Sequence, residues 1–154
     1  MPVYTLCETL KIPSTIEKVW DFISSPRNLK NITPDYMGFE VITKNLPEKM
    51  YPGMIISYKV SPLLGIKMLW VTEITHVSEF RYFVDEQRVG PYKMWHHQHL
   101  LEPLTDGVLM TDIVDYQPPI GILGSIANQL IIKKQLNEIF AFRTKKLNEV
   151  FGKF

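Results

Sequence analysis

The period of the apolar positions changes twice along this chain. Residues 3–12 alternate in part and predict a first β-strand, ended by Pro13. Ile16, Val19, Trp20 and Ile23 then recur at helical spacing. Ser14 and Glu17 stand in a capping-box pattern, which predicts a helix over 15–24 with Ser14 as its cap. Ser25-Pro26 predicts a second, short helix, stopped at Thr33-Pro34. From there the period is two. Strands are predicted over 38–44, 54–60, 66–76, 80–87, 92–102 and 108–116, punctuated by Pro/Gly loops and a Thr105-Asp106-Gly107 hairpin turn. The last period is helical. Residues 123–151 contain no proline, and no glycine after Gly124.

A helix of that length would extend ~43 Å at about 1.5 Å per residue. A globule of 154 residues has a radius of gyration of only ~15 Å. The helix must therefore cross the whole body, and the strands must be arranged around it. Ile132, Leu136, Ile139, Phe140, Leu147, Val150 and Phe151 fall in one stripe, with Lys134, Asn137, Glu138, Lys145, Asn148 and Glu149 opposite. Leu123, Ile126, Ala127, Leu130 and Ile131 lie on a face rotated well away. The helix is therefore expected either to kink near 131–134 or to cover a second surface with its first turns. Arg143 interrupts the main stripe. Three uses are open to it: a stem packed on the core with its head in water, an internal ion pair, or a cation aimed into a cavity at an acidic ligand group.

Short connections between the later strands make neighbours antiparallel. The expected class is α+β: a strongly bent antiparallel sheet of about six or seven strands wrapped round a long C-terminal helix, with two short helices after the first strand. One domain spanning 1–154 follows from the length.

Composition narrows the partners. A net charge of +1 and a pI near 7.8 give no electrostatic case for nucleic acid. The basic residues of the last helix (Lys133, Lys134, Arg143, Lys145, Lys146) suit a solvated face. Cys7 is the only cysteine, so no internal disulfide forms and a reducing, cytoplasmic setting is expected. The start of the chain has no secretory pattern, and the longest apolar-rich run, 118–132, carries Asn128 and Gln129. No membrane span is expected.

Candidate chemistry gathers on two predicted strands. Trp95, His97, His99 and Leu101 share one face by alternation. An even-length loop puts Met110, Asp112, Val114 and Tyr116 on the same face. His99 lies opposite Asp112 in one register, and the partners shift by two in the next. This patch has three possible uses: a structural network of His99, Asp112 and Arg143; recognition of the polar end of a hydrophobic ligand; or general acid/base chemistry by His97, His99 and Asp112 on an enolisable carbonyl. His97-x-His99 also offers two imidazoles to a metal, but no third donor is evident, so neither metal nor cofactor is expected. His96 points the other way. One of Asp85 and Glu86 must face inward and would suit Arg143; alternation alone does not say which. Trp70, Trp95, Met110, Tyr116, Ile139 and Phe140 are expected to wall the site, and His97, His99, Asp112 and Arg143 to orient the ligand. Trp20, Phe22 and Phe83 are expected to pack the core. Residues 120–130 are a candidate mouth, and residues 120–131 a candidate homodimer or partner surface.

Five stretches carry a family resemblance: PSTIEKVWDF at 13–22, FVDEQRVGPY at 83–92, WHHQH at 95–99, MTDIVDY at 110–116 and IFAFR at 139–143. With the order of elements, they resemble the START / birch-pollen-allergen (SRPBCC) superfamily. Within it they resemble a bacterial ligand-binding, cyclase-like subgroup. The resemblance covers essentially the whole chain. It implies a helix-grip fold with a large apolar cavity between sheet and long helix, used for lipids, sterols, polyketides or aromatic molecules, and a cyclase or dehydratase in a few relatives. The expected function is binding of a hydrophobic small molecule (lipid, polyketide or aromatic) without chemistry. The alternatives are a polyketide cyclase/dehydratase-type enzyme and a protein-interaction module.

Overall fold

The structure, a computed structural model, describes residues 2–63, 65–118 and 125–154. Its elements are β1 (Tyr4–Ile12), α1 (Ile16–Ile23), 3-10 turns at Pro26–Ile32 and Asp35–Met37, β2 (Glu40–Val41), β3 (Met54–Leu63), β4 (Ile66–Ser78), β5 (Tyr82–Val89), β6 (Met94–Leu104), β7 (Gly107–Gln117) and α2 (Ser125–Phe151). The seven strands form one sheet in the order β1-β7-β6-β5-β4-β3-β2, every pair antiparallel. β1 and β2 are its edges, so the sheet is not closed. This is the α+β helix-grip architecture that the element order predicts.

Local chemistry explains where the elements depart from expectation. The cap of α1 is Thr15, not Ser14. Its hydroxyl accepts from the Lys18 amide, while the Ser14 amide donates to the Ile12 carbonyl. The frame is one residue later, and Lys18 stands where a capping box needs Glu or Gln. The second helix is 3-10, and Ser25 makes no side-chain cap bond. The strand expected over 38–44 shrinks to Glu40–Val41: Gly38 adopts a left-handed conformation (φ 55°) just before it, and just after it the amides of Ile42 and Thr43 both donate to the Ser57 carbonyl. β3 continues past Pro62 to Leu63 at the cost of a register shift after Val60, as expected of a residue with no N–H to give the ladder.

α2 is continuous through 131–134 and buries Ile132, Leu136, Phe140 and Leu147. Val150 departs from the predicted stripe: it is exposed, and Phe151 makes the last contact instead, edge-on to Phe22. Leu130 and Ile131 are exposed. The other side chains of the proposed second face lie outside the described residues, as does most of the 120–131 surface.

The core divides in two. One cluster gathers Ile12, Val19, Trp20, Ile74, Phe83, Leu101, Met110 and Leu147 with their neighbours. The other gathers Val60, Trp70, Tyr92, Val114, Tyr116, Ile132, Leu136 and Phe140. Following β4, β6, β7 and α2 from one cluster to the other passes Thr72, His97 and His99, Asp112 and Arg143, respectively. A polar belt therefore crosses the apolar interior.

Candidate ligand site

Strand pairing builds the belt. β6 lies between β5 and β7, with Asp85 opposite His97 and Asp112 opposite His99. Both imidazoles point inward two residues apart, with ring centroids 3.7 Å from each other. Each therefore sits between two carboxylates from the flanking strands. His97 Nε2–H donates to Asp112 Oδ1 at 2.9 Å, and its Nδ1 faces Asp85 Oδ2 at 3.6 Å. His99 Nε2–H donates to Asp85 Oδ2 at 2.7 Å, and its Nδ1 lies 2.9 Å from Asp112 Oδ1. Arg143 Nη1 donates to the same Asp112 oxygen at 3.1 Å. Phe83 stacks on the His99 ring at 4.0 Å and holds it in plane.

Burial and charge set the protonation states. Burial pushes the His97 imidazole down to about 4, assisted by the neighbouring His99. Burial opposes charge on His99 too, but hydrogen bonds to Asp112 and Asp85 outweigh it and raise its pKa. Burial would likewise raise both carboxyls. Arg143 and the two histidines hold Asp112 well below the ordinary carboxylate range, and His99 and His97 bring Asp85 down. The cluster thus sets two carboxylates and the Arg143 guanidinium beside one imidazole that burial keeps neutral and one whose charged form the carboxylates favour.

The belt forms one wall of a cavity of about 130 Å³ between sheet and α2. Asp85, His97, His99 and Arg143 line it, with Thr72 beside them. The Thr72 hydroxyl accepts from Trp70 Nε1 at 3.0 Å and bonds the Tyr58 hydroxyl at 2.6 Å. The rest is largely apolar, with Thr33 and Gln135 the polar exceptions and a group of aromatic rings on the sheet side. Trp70 meets Trp95 edge-on at 5.3 Å and stacks with Tyr58 at 6.2 Å, Tyr92 lies 4.9 Å from Trp95, and Phe140 closes the helix side beside Ile139 and Leu136. Arg143, on this wall, has its Nε buried without a hydrogen-bond partner.

Of the residues singled out from sequence, Trp70, Trp95, His97, His99, Ile139, Phe140 and Arg143 reach this cavity. Three do not. Met110 packs in the first core cluster, Tyr116 packs among Tyr4, Tyr92 and Trp95, and Asp112 stands behind the histidines. They share the inward face, but the imidazoles and neighbouring rings cover them. Asp85 is the inward carboxylate. Glu86 faces outward to His96 and Arg88, and Arg143 pairs with Asp112 rather than with position 85. The expectation that a metal would lack a third donor is also corrected, since folding brings Asp85 beside His97 and His99. Tyr58 and Tyr92 were missed. Tyr58 was within reach of sequence reasoning, because it pairs with Trp70 across β3 and β4.

No protein-family model and no curated protein matches the sequence. Solved structures do. The chain superposes on the aromatase/cyclase ZhuI from Streptomyces sp. R1128 with a TM-score of 0.76 at 9% identity, covering 95% of this chain and 92% of that one. It is similar to the major latex-like protein 151 from Panax ginseng (TM-score 0.66, 15% identity, 97% of each chain). It is also similar to part of a nucleoside-diphosphate sugar epimerase from Corynebacterium glutamicum (TM-score 0.65, 23% identity, 94% of this chain and 28% of that one). The fold is thus the Bet v 1-like helix grip. No described helix is long and apolar enough to cross a membrane.

Proposed function

We propose that the chain acts as one ligand-binding domain over residues 1–154, taking a hydrophobic small molecule with an oxygen-bearing end between sheet and α2. The observation that carries this reading is the pairing of a largely apolar cavity with a buried donor on its wall, Arg143 Nε, that has no hydrogen-bond partner among the described residues. A buried N–H without an acceptor is costly, so a carbonyl or carboxylate oxygen of a ligand would satisfy it. At about 130 Å³ the space is comparable to an apolar cavity of ~150 Å³ that takes benzene. A one-ring aromatic acid or ketone therefore fits as the cavity stands. A lipid or polyketide needs it to widen, for which Met37 and Met50 in the wall are adaptable.

Calorimetric titration with a panel of one-ring aromatics tests this. Benzoate or acetophenone should bind and toluene more weakly, and Arg143→Met should erase the difference. Equal, residue-independent affinity for all three would remove Arg143 from recognition. No binding, together with no co-purified molecule in native mass spectra, would overturn the reading. Acid–base catalysis of a cyclase type would use the same cavity histidines. It predicts that His99→Gln abolishes turnover of a poly-β-keto substrate while the fold persists.

A further inference from the structure

The histidines present different nitrogens to the two flanking carboxylates, and the division is not symmetric with respect to the cavity. Asp85 lines the cavity; Asp112 does not. Towards Asp85 go His97 Nδ1 and His99 Nε2, and towards Asp112 go His97 Nε2 and His99 Nδ1. The cavity side of the pair is therefore a set of three donor atoms, one carboxylate oxygen and two ring nitrogens, all within 4.8 Å of one another. The buried side is one carboxylate oxygen that both rear nitrogens can donate to.

We propose that Asp85, His97 and His99 bind a divalent first-row transition ion at the polar end of the cavity, with Asp112 and Arg143 as the supporting shell. Two imidazoles and a carboxylate are the donor set that suits zinc or iron(II) and leaves coordination positions open. Atoms bound to a common ion at about 2.0–2.2 Å sit roughly 3–3.5 Å apart. The observed separations of 2.7 Å and 3.6 Å from Asp85 Oδ2 bracket that value. A metal-bound histidine ordinarily gives its other N–H to a carboxylate, which fixes the tautomer and the ring. Here Asp112 Oδ1 meets both rear nitrogens at 2.9 Å. Arg143 Nη1 pairs with that same oxygen at 3.1 Å, so Asp112 is engaged on the side away from the cavity. Binding the ion needs both imidazoles neutral, so the proton that Asp112 and Asp85 favour on His99 is released and the cation takes its place between the two carboxylates. Phe83 against His99, and Phe140 edge-on to His97, hold the rings in place. The open positions face the aromatic cavity. The site is independent of whether an organic ligand binds there.

The test uses the whole chain, stripped with EDTA, dialysed, and titrated with Zn2+ alone and then with Co2+, with no organic molecule present. One ion per chain is expected, with a visible Co2+ ligand-field spectrum. Asp85→Asn and His97→Gln should each abolish stoichiometric binding, and Asp112→Asn should weaken it ~10–100-fold. His96→Gln, whose ring faces Glu86 on the other side of β6, should leave it unchanged. Absence of stoichiometric binding by the unaltered chain, or binding equally tight in Asp85→Asn and His97→Gln, would overturn the proposal. Should those variants fail to fold by circular dichroism, the Cu2+-loaded parent decides. Hyperfine coupling to two imidazole nitrogens is expected, and fewer than two would overturn the site.

Discussion

Replacing Asp112 by Asn keeps its shape and removes its charge, which makes it the sharpest single perturbation of the belt. One oxygen of this carboxylate lies 2.9 Å from His97 Nε2, 2.9 Å from His99 Nδ1 and 3.1 Å from Arg143 Nη1. In metal-free protein the change leaves Arg143 without its counter-ion in a setting where only 12% of its side chain is exposed. Removing one partner of a buried ion pair costs about 3–5 kcal/mol, because the survivor stays desolvated. At ~2–4 °C per kcal/mol for a chain of this size, the melting temperature should fall by roughly 6–20 °C. Against a total stability of ~5–15 kcal/mol the variant retains a measurable transition. Urea unfolding in the presence of chelator gives the comparison. Asp112→Leu with Arg143→Met should cost less than the sum of the single changes, since neither orphan then remains. The sign with pH follows from the depressed carboxyl. Stability from Asp112 is fully present above its unfolded value of about 3.8 and is lost as pH falls towards the lower folded value. The gap between parent and Asp112→Asn should therefore close below about pH 4, and should also narrow as pH rises past 6.5 through the raised value of His99, whose proton Asp112 helps to hold. A cost under ~1 kcal/mol at pH 7, or strict additivity of the pair, would refute this view of the belt.

Other consequences are read more simply. In metal-free protein, nitrogen NMR should show His97 neutral down to about pH 4 while His99 holds its proton above the ordinary histidine value of 6.5; co-titration of both near 6.5 would contradict the hydrogen-bond assignment. Thr15→Ala should cost ~0.5–2 kcal/mol in urea unfolding, at the low end because its cap bond is long, whereas Ser14→Ala should change little; the reverse order would restore the Ser14 cap. Gly107→Ala should destabilise in the same assay, because a Cβ there collides with the Ile12 carbonyl oxygen across the β1–β7 pair; unaltered stability would mean that the strand end yields.

What could be read from the chain depended on how rigidly the local code counts residues. Leu104 pairs with Gly107 across the two-residue Thr105-Asp106 turn, so alternation carries unbroken from His97 through His99 to Asp112. That face could be counted in the sequence before any coordinates. Asp85 could not. The β4–β5 ladder slips after Val71 and again after Ile74, and Phe80 in the connection has a φ of 61°. Each irregularity resets parity, so choosing between Asp85 and Glu86 required the folded sheet. Met110 and Tyr116 show a different limit. Period two identifies the inward face, but not which inward side chains other residues cover. The Thr15 cap illustrates the smallest scale, where two adjacent hydroxyls compete and one backbone bond from Ser14 decides.

The claim on which the rest depends is that the aromatic cavity beside the belt accepts a hydrophobic guest. Two-dimensional NMR of the labelled chain, titrated with benzoate, tests it most directly. The Trp70 and Trp95 indole signals, the His97 ring and the backbone around Phe140 should shift together along one saturating curve. Shifts confined to outward-facing residues such as His96 and Glu86, or no shifts at millimolar ligand, would contradict it.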